Sequence, residues 1–235
     1  MMKIDICTIP VNKVFETKDG CPICRMRAEL EERALDFVMG AAMMEPDVRH
    51  ETNRLGFCPN HFSMMSARGN RLSFALTLES HLIEIENRVF ESHKPSLLHG
   101  PAAQAQESMK DAQLLTRSCY VCDRVALSLD NVLGTFFKMW KKEPEFRVSV
   151  AEQPCYCLQD YALLLAKGQE QLDKKTFPEF YASLSKAARS GLVKLREDMS
   201  GFCKMYDYHN SGAEFGELRD AVKNAVAYLT ARRQK

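Results

Sequence analysis

Two C-x-x-C pairs, Cys21/Cys24 and Cys119/Cys122, stand 98 residues apart, and their recurrence constrains the fold more than any other feature of the 235-residue chain. The same offset lays Glu45-Pro46-Asp47-Val48-Arg49 over Glu143-Pro144-Glu145-Phe146-Arg147. One inserted residue later, at an offset of 99, Phe57-Cys58-Pro59-Asn60-His61-Phe62 falls on Tyr156-Cys157-Leu158-Gln159-Asp160-Tyr161. Three motifs in one order imply a tandem duplication. The expected organisation is a first helical repeat over 1–94, a linker over 95–109 that is rich in Pro, Ala, Gln and Gly, and a second helical repeat over 110–235.

Apolar residues recur at helical spacing across Arg25 to Ala42 and Leu72 to Phe90 in the first repeat. In the second repeat Asp123 to Lys141, Pro178 to Tyr206 and Glu217 to Ala231 read the same way. Strand signals are confined to Ile4 to Val11, so the expected fold is all-α, two divergent helical repeats each organised around a C-x-x-C and a C-x-x-[HD] motif.

Nine cysteines are too few for a secreted disulfide scaffold and too clustered for random core filling. A C-x-x-C turn delivers two thiolates to one point, and Cys58 and His61, three apart on the first turn of a helix opened by Pro59, face the same way. Within the first repeat, Cys21, Cys24, Cys58 and His61 are therefore expected to hold zinc through three thiolates and one imidazole. The 33 residues between Cys24 and Cys58 exceed finger spacing, so the duplication carries more weight here than the spacing.

In the second repeat Asp160 stands where His61 stands in the first. Three readings stay open: a second zinc held by Cys119, Cys122, Cys157 and Asp160; an all-thiolate site with Cys155 as fourth ligand; or an empty site in which Asp160 serves the dipole of its helix. Thioredoxin-like redox use of the pairs lacks a βαβ context. Cys7 and Cys203 have no counterpart and read as small hydrophobes.

Arg49 and Arg147, at the fifth position of the Glu-Pro motif, are not needed to start a helix and read as structural fasteners. Met39, Met43, Met44, Met64 and Met65 read as core rather than a partner-binding surface, and His50, His81, His93, His99 and His209 make no ligand pairing. Lys138, Lys141, Lys142 and the terminal Arg232-Arg233-Gln234-Lys235 read as solvated faces. The chain has no P-loop, GxGxxG, GxSxG or HExxH motif and no candidate catalytic residues.

The Thr8 to Val11 segment, the CPIC pair, the run from Met43 to Phe62 and the CYVC pair together resemble an uncharacterised bacterial protein family, a domain of unknown function with paired CxxC and CxxH-type motifs. The resemblance covers nearly the whole chain and implies that the cysteines and His61 are signature positions, with no activity attached. A formal net charge of +1 argues against nucleic acid as partner, and the apolar runs are too short for a membrane span or signal peptide. The expected protein is cytoplasmic and non-enzymatic, a zinc-stabilised interaction module that meets a protein partner or a second copy of itself. The alternative is a metal-dependent hydrolase, or a thiol-based redox or metal sensor, using Cys119, Cys122, Cys157 and Asp160.

Overall fold

The computed structural model describes residues 8–40, 44–92, 100–207 and 214–231. Every regular element among them is helical: α1 (Ile9–Glu16), α2 (Pro22–Met39), α3 (Pro46–Leu55), α4 (Pro59–Ser66), α5 (Arg71–Ile85) continued by a π-helical turn (Glu86–Glu91), α6 (Pro101–Arg117), α7 (Tyr120–Lys142), α8 (Pro144–Ala151), α9 (Leu158–Gln171), α10 (Phe177–Lys204), a 3₁₀ turn (Gly216–Asp220) and α11 (Ala221–Thr230). Seven of the nine prolines sit in the first turn of a helix, where a missing N–H costs nothing and the fixed φ favours the start. The starts of α2, α3 and α4 at residues 22, 46 and 59 have counterparts in α7, α8 and α9 at 120, 144 and 158, with the motif offsets of 98, 98 and 99.

Two segments differ from expectation. Ile9 to Val11 open α1 rather than a strand, because Pro10 starts a helix whose Val11, Val14 and Phe15 turn inward; residues 4–7 lie outside the described residues. Residues 101–109 of the expected linker belong to α6, whose Ala, Gln and Glu are good helix formers behind Pro101; residues 95–99 lie outside the described residues.

The chain forms two compact units that do not follow the expected repeats: one of Met1–Ala28 with Leu129–Lys235, the other of Glu29–Ser128. The first is built on aromatic packing. Phe136 meets Phe15, Phe137, Phe146 and Phe180 with ring centroids 4.9–6.1 Å apart, mostly edge to face, and Trp140 meets Phe180 at 5.0 Å. The second gathers Leu35, Val38 and Met39 of α2 with Phe57, Met65, Tyr120, Val121 and Val125, so Met39 and Met65 are core as expected while Met44 is exposed.

Helix α5 in the Glu29–Ser128 unit is inverted relative to its sequence pattern. Leu72, Leu82 and Ile83 are exposed, whereas Ser73, Thr77 and His81 are buried. The reason is hydrogen bonding: Ser73 Oγ and Asn70 Nδ2 donate to the Met39 carbonyl at the end of α2, and His81 Nδ1 pairs with the Asn53 carbonyl in α3. Small polar groups that satisfy the last carbonyls of neighbouring helices outweigh the apolar stripe.

Candidate metal centres

Each C-x-x-C turn lies at the start of a long helix, and what meets it is decided by the loop packed there. In the Glu29–Ser128 unit the chain leaves α3 through Gly56, at φ +60° and ψ −157°, where a Cβ would come within 2.8 Å of the His81 ring. The Gly56 carbonyl accepts the Tyr120 N–H at 3.0 Å, and Ser118 Oγ donates to the Leu55 carbonyl at 2.6 Å. These bonds hold the Cys58 loop beside the Cys119–Cys122 turn.

In the other unit Arg25 does the tying. Its guanidinium donates to the carbonyls of Val14, Thr17, Asp19 and Gly20 and to Gln153 Oε1, while Gln153 Nε2 donates to the Phe15 carbonyl. Gly191 of α10 lets the loop before Cys157 come close, since a Cβ there would lie 2.5 Å from the Pro154 carbonyl oxygen. The sequence motifs did not single out Arg25; its place directly after Cys24 was the one signal the sequence carried.

The outcome is a crossed arrangement. Cys58, His61, Cys119 and Cys122 form one group and Cys21, Cys24, Cys157 and Asp160 the other, with the ligand-type atoms of each group all within 4.8 Å of one another. All eight candidate ligands are brought into clusters: the Cys119–Cys122 pair meets Cys58 and His61, and the Cys21–Cys24 pair meets Cys157 and Asp160. This corrects the expected sets Cys21/Cys24/Cys58/His61 and Cys119/Cys122/Cys157/Asp160. Loop contacts supply the reason: the Tyr120 N–H bonds the Gly56 carbonyl beside Cys58, and Gln153 Nε2 bonds the Phe15 carbonyl ahead of Cys21, so each C-x-x-C is met by the loop that packs on it. Cys155 stands outside the four-atom group.

The spacing within each cluster suits a tetrahedral divalent ion. Bonds of about 2.3 Å to sulfur and 2.0 Å to nitrogen or oxygen put neighbouring ligand atoms about 3.5–3.8 Å apart. Sulfur pairs lie at 3.6 Å (Cys24 to Cys157) and 3.9 Å (Cys58 to Cys122), far from the about 2.05 Å of a disulfide. His61 Nδ1 lies 3.2 Å from Cys58 Sγ, 3.2 Å from Cys119 Sγ and 3.5 Å from Cys122 Sγ. Asp160 Oδ2 lies 3.1 Å from Cys24 Sγ, 3.1 Å from Cys157 Sγ and 3.4 Å from Cys21 Sγ. Both groups can hold a metal ion.

Local electrostatics favour one thiolate in each cluster, Cys21 and Cys119, while hydrogen bonds from neighbouring thiols and burial push Cys24 up and the Cys21 side chain pushes Cys157 up. Cys21 is held well below the ordinary thiol range by hydrogen bonds from the Cys157 and Cys24 side chains and backbone N–H groups, against its burial. Burial pushes the Cys119 thiol up, but His61 and the backbone N–H groups of Cys122 and Cys58 bring it down to about 6. Burial alone would lower His61; the Cys119 and Glu31 side chains raise it to about 10. Cys122 is raised by burial and by the charges of Cys119 and Cys58.

Beside the Asp160 cluster opens a cavity of about 740 Å³ lined by Cys21, Cys24 and Cys157 together with Cys155, Lys194 and Tyr228, among others. Arg147, one of the two arginines expected to fasten structure, donates to the Trp140 carbonyl at 2.8 Å and to Glu179 at 2.7 Å, and its guanidinium lies 5.7 Å from the Trp140 ring. Among the described residues the Arg49 side chain makes no such bond; residues 42 and 43, which correspond to Trp140 and Lys141, lie outside them, as do Cys7, Met43, His93, His99, His209 and 232–235.

No helix among the described residues is long and apolar enough to cross a membrane. No curated protein and no solved structure matches the chain. A family model matches residues 2–235, and the chain, with its paired Cys-rich motifs, belongs to a family of unknown function (DUF6062).

Proposed function

We propose that the protein is a duplicated, zinc-stabilised helical scaffold that acts as an interaction module rather than as an enzyme. The observation that carries this reading is the crossing itself: each cluster joins side chains about 60 or more residues apart in sequence, so an ion in each would clamp distant segments of one compact unit. Four protein donors close the coordination sphere, which is the signature of a structural site, and three thiolates with an imidazole or a carboxylate suit zinc. The matched starts of the α2–α4 and α7–α9 helices support descent of both repeats from one duplicated unit. All cysteines among the described residues are outside disulfides, which suits a reducing compartment such as the cytoplasm.

The test is elemental analysis of protein purified without chelator or nickel resin. Two zinc ions per chain, with cluster thiols shielded from titration until a chelator is added, are expected. A chain with no bound metal and freely titrating thiols refutes the reading.

One observation favours a second reading. Three of the four ligands of the Asp160 cluster line the 740 Å³ cavity, so a small ligand or incoming chelator has a route to that ion, as a sensor or a hydrolytic centre requires. Cobalt-substituted protein separates the two: a visible spectrum that shifts on adding azide or imidazole favours the open centre, and an inert one the structural centre.

A further inference from the structure

The fourth ligand of each cluster is held from behind by a charge of opposite character, and both charges come from α2. Asp160 turns Oδ2 to the three sulfurs and accepts Arg27 from behind on both oxygens, Nη2 on Oδ1 at 2.5 Å and Nη1 more distantly on Oδ2 at 3.4 Å; the aspartate is fully buried and the Arg27 side chain 28% exposed. His61 turns Nδ1 to its three sulfurs and places Nε2 2.9 Å from Glu31 Oε1, with the imidazole 3% and the glutamate 29% exposed. The two outer residues are four apart on one helix and have no counterparts in the second repeat, where Val125 and Leu129 stand at the same offset and are buried in apolar surroundings.

We propose that Arg27 and Glu31 are positioning residues that key each cluster to its own fourth ligand, so that Asp160 is a charge-compensated ligand and not a decayed histidine. This rests on the metal reading and deepens it. Three thiolates and a carboxylate around a divalent ion leave two negative charges in a buried place, and Arg27 removes one of them. Three thiolates and an imidazole leave one, and there an acceptor on the far nitrogen fixes the tautomer and raises ligand basicity. Exchanging the ligands alone mismatches the outer shell. A histidine at 160 would aim its second N–H at a guanidinium, donor against donor, and deprive Arg27 of its acceptor. An aspartate at 61 would face Glu31 across a like-charge gap.

The experiment measures zinc retained per chain against EDTA, with helicity followed in parallel, for wild type and five variants. Asp160→His and His61→Asp should each weaken retention by about tenfold or more at the altered cluster and leave the other unchanged. Asp160→His with Arg27→Glu, and His61→Asp with Glu31→Arg, should each recover most of that loss. Arg27→Ala, which keeps all four ligands of its cluster, should by itself weaken the Asp160 site. Retention by Asp160→His equal to wild type, a double variant no better than its single parent, or an Arg27→Ala protein indistinguishable from wild type overturns the keying. Wild-type protein that binds no zinc overturns the metal reading and the keying with it; wild type with two ions and an unimpaired Asp160→His overturns the keying alone.

Discussion

Cys21 and Cys119 occupy the same station in two clusters. Each is the buried first cysteine of a C-x-x-C, and each sulfur accepts backbone N–H groups from the second cysteine of its own motif and from the cysteine that caps the partner helix. Cys58 and Cys157, those capping residues, share their backbone conformation, with φ/ψ of −74°/162° and −63°/157°. The clusters differ in what surrounds this common backbone: imidazole against carboxylate, Glu31 against Arg27, and a cavity of about 740 Å³ beside the Asp160 cluster. The lesson is that the C-x-x-C geometry is common to both clusters, while the character of each centre is set by side chains outside the motif.

The largest expected effect concerns the crossing. Cys58→Ser combined with Cys119→Ser disables one cluster in the crossed arrangement and should leave one zinc per chain. Cys21→Ser combined with Cys58→Ser disables both and should leave none, with much of the cooperative melt lost, since structural zinc contributes on the order of 10 kcal/mol in small domains. Repeats that closed on themselves would give the opposite pattern. Zinc per chain of the two double variants decides it.

The next effect sharpens the comparison by loading each cluster's supporting loop separately. Gly56→Ala forces a side chain onto a positive φ and into the His81 ring, and Gly191→Ala drives a Cβ against the Pro154 carbonyl. Each should cost about 1–3 kcal/mol. Gly56→Ala should loosen zinc at the His61 cluster only, and Gly191→Ala at the Asp160 cluster only, read by EDTA competition. Loss at the wrong cluster breaks the assignment of loops to sites.

A smaller difference separates the two Glu-Pro motifs. Arg147 bonds the end of α7 and Glu179, so Arg147→Ala should lower stability by about 1 kcal/mol, discounted because the pair is partly exposed. Arg49→Ala should change it by no more than about 0.5 kcal/mol. Urea melts of both variants give the comparison, and equal losses would make the two motifs equivalent.

How much of this was legible follows from where the information lies. The members of the two clusters were legible because thiols and imidazole at turn spacing are rare and recur at a fixed offset, and most helices because proline and apolar periodicity mark them locally. The partner of each C-x-x-C was not, because it depends on the Tyr120 to Gly56 and Gln153 to Phe15 hydrogen bonds, which join residues more than 60 apart and leave no local trace. Arg27 and Glu31 were invisible for a related reason: at the repeat offset they align with Val125 and Leu129, so the alignment that found the ligands hid their outer shell. The buried polar face of α5 escaped because periodicity counts apolar residues, whereas the helix was oriented by carbonyls it had to satisfy.

The smallest expected effect uses that polar face to separate fold from metal at the His61 cluster. His81 is buried, bonds the Asn53 carbonyl and packs its ring 6.5 Å from Phe62, and burial lowers its affinity for a proton. A histidine whose folded pKa lies below its unfolded value of about 6.5 is neutral in both states at pH 8, so it costs no stability there. As pH falls through 6.5 the unfolded chain takes up the proton first, and stability declines until the folded state also protonates. Metal loss follows acid too, because thiolates must be deprotonated to bind, so the measurement must isolate His81. His81→Gln keeps a donor for the Asn53 carbonyl and removes the titration. Between pH 7.5 and 5.5, in urea melts with zinc in excess, wild type should lose more stability than His81→Gln by an amount below about 1 kcal/mol, while zinc retention of the two proteins falls in parallel. Equal slopes for the two proteins would mean that His81 titrates alike folded and unfolded, and that burial on α5 does not set its charge.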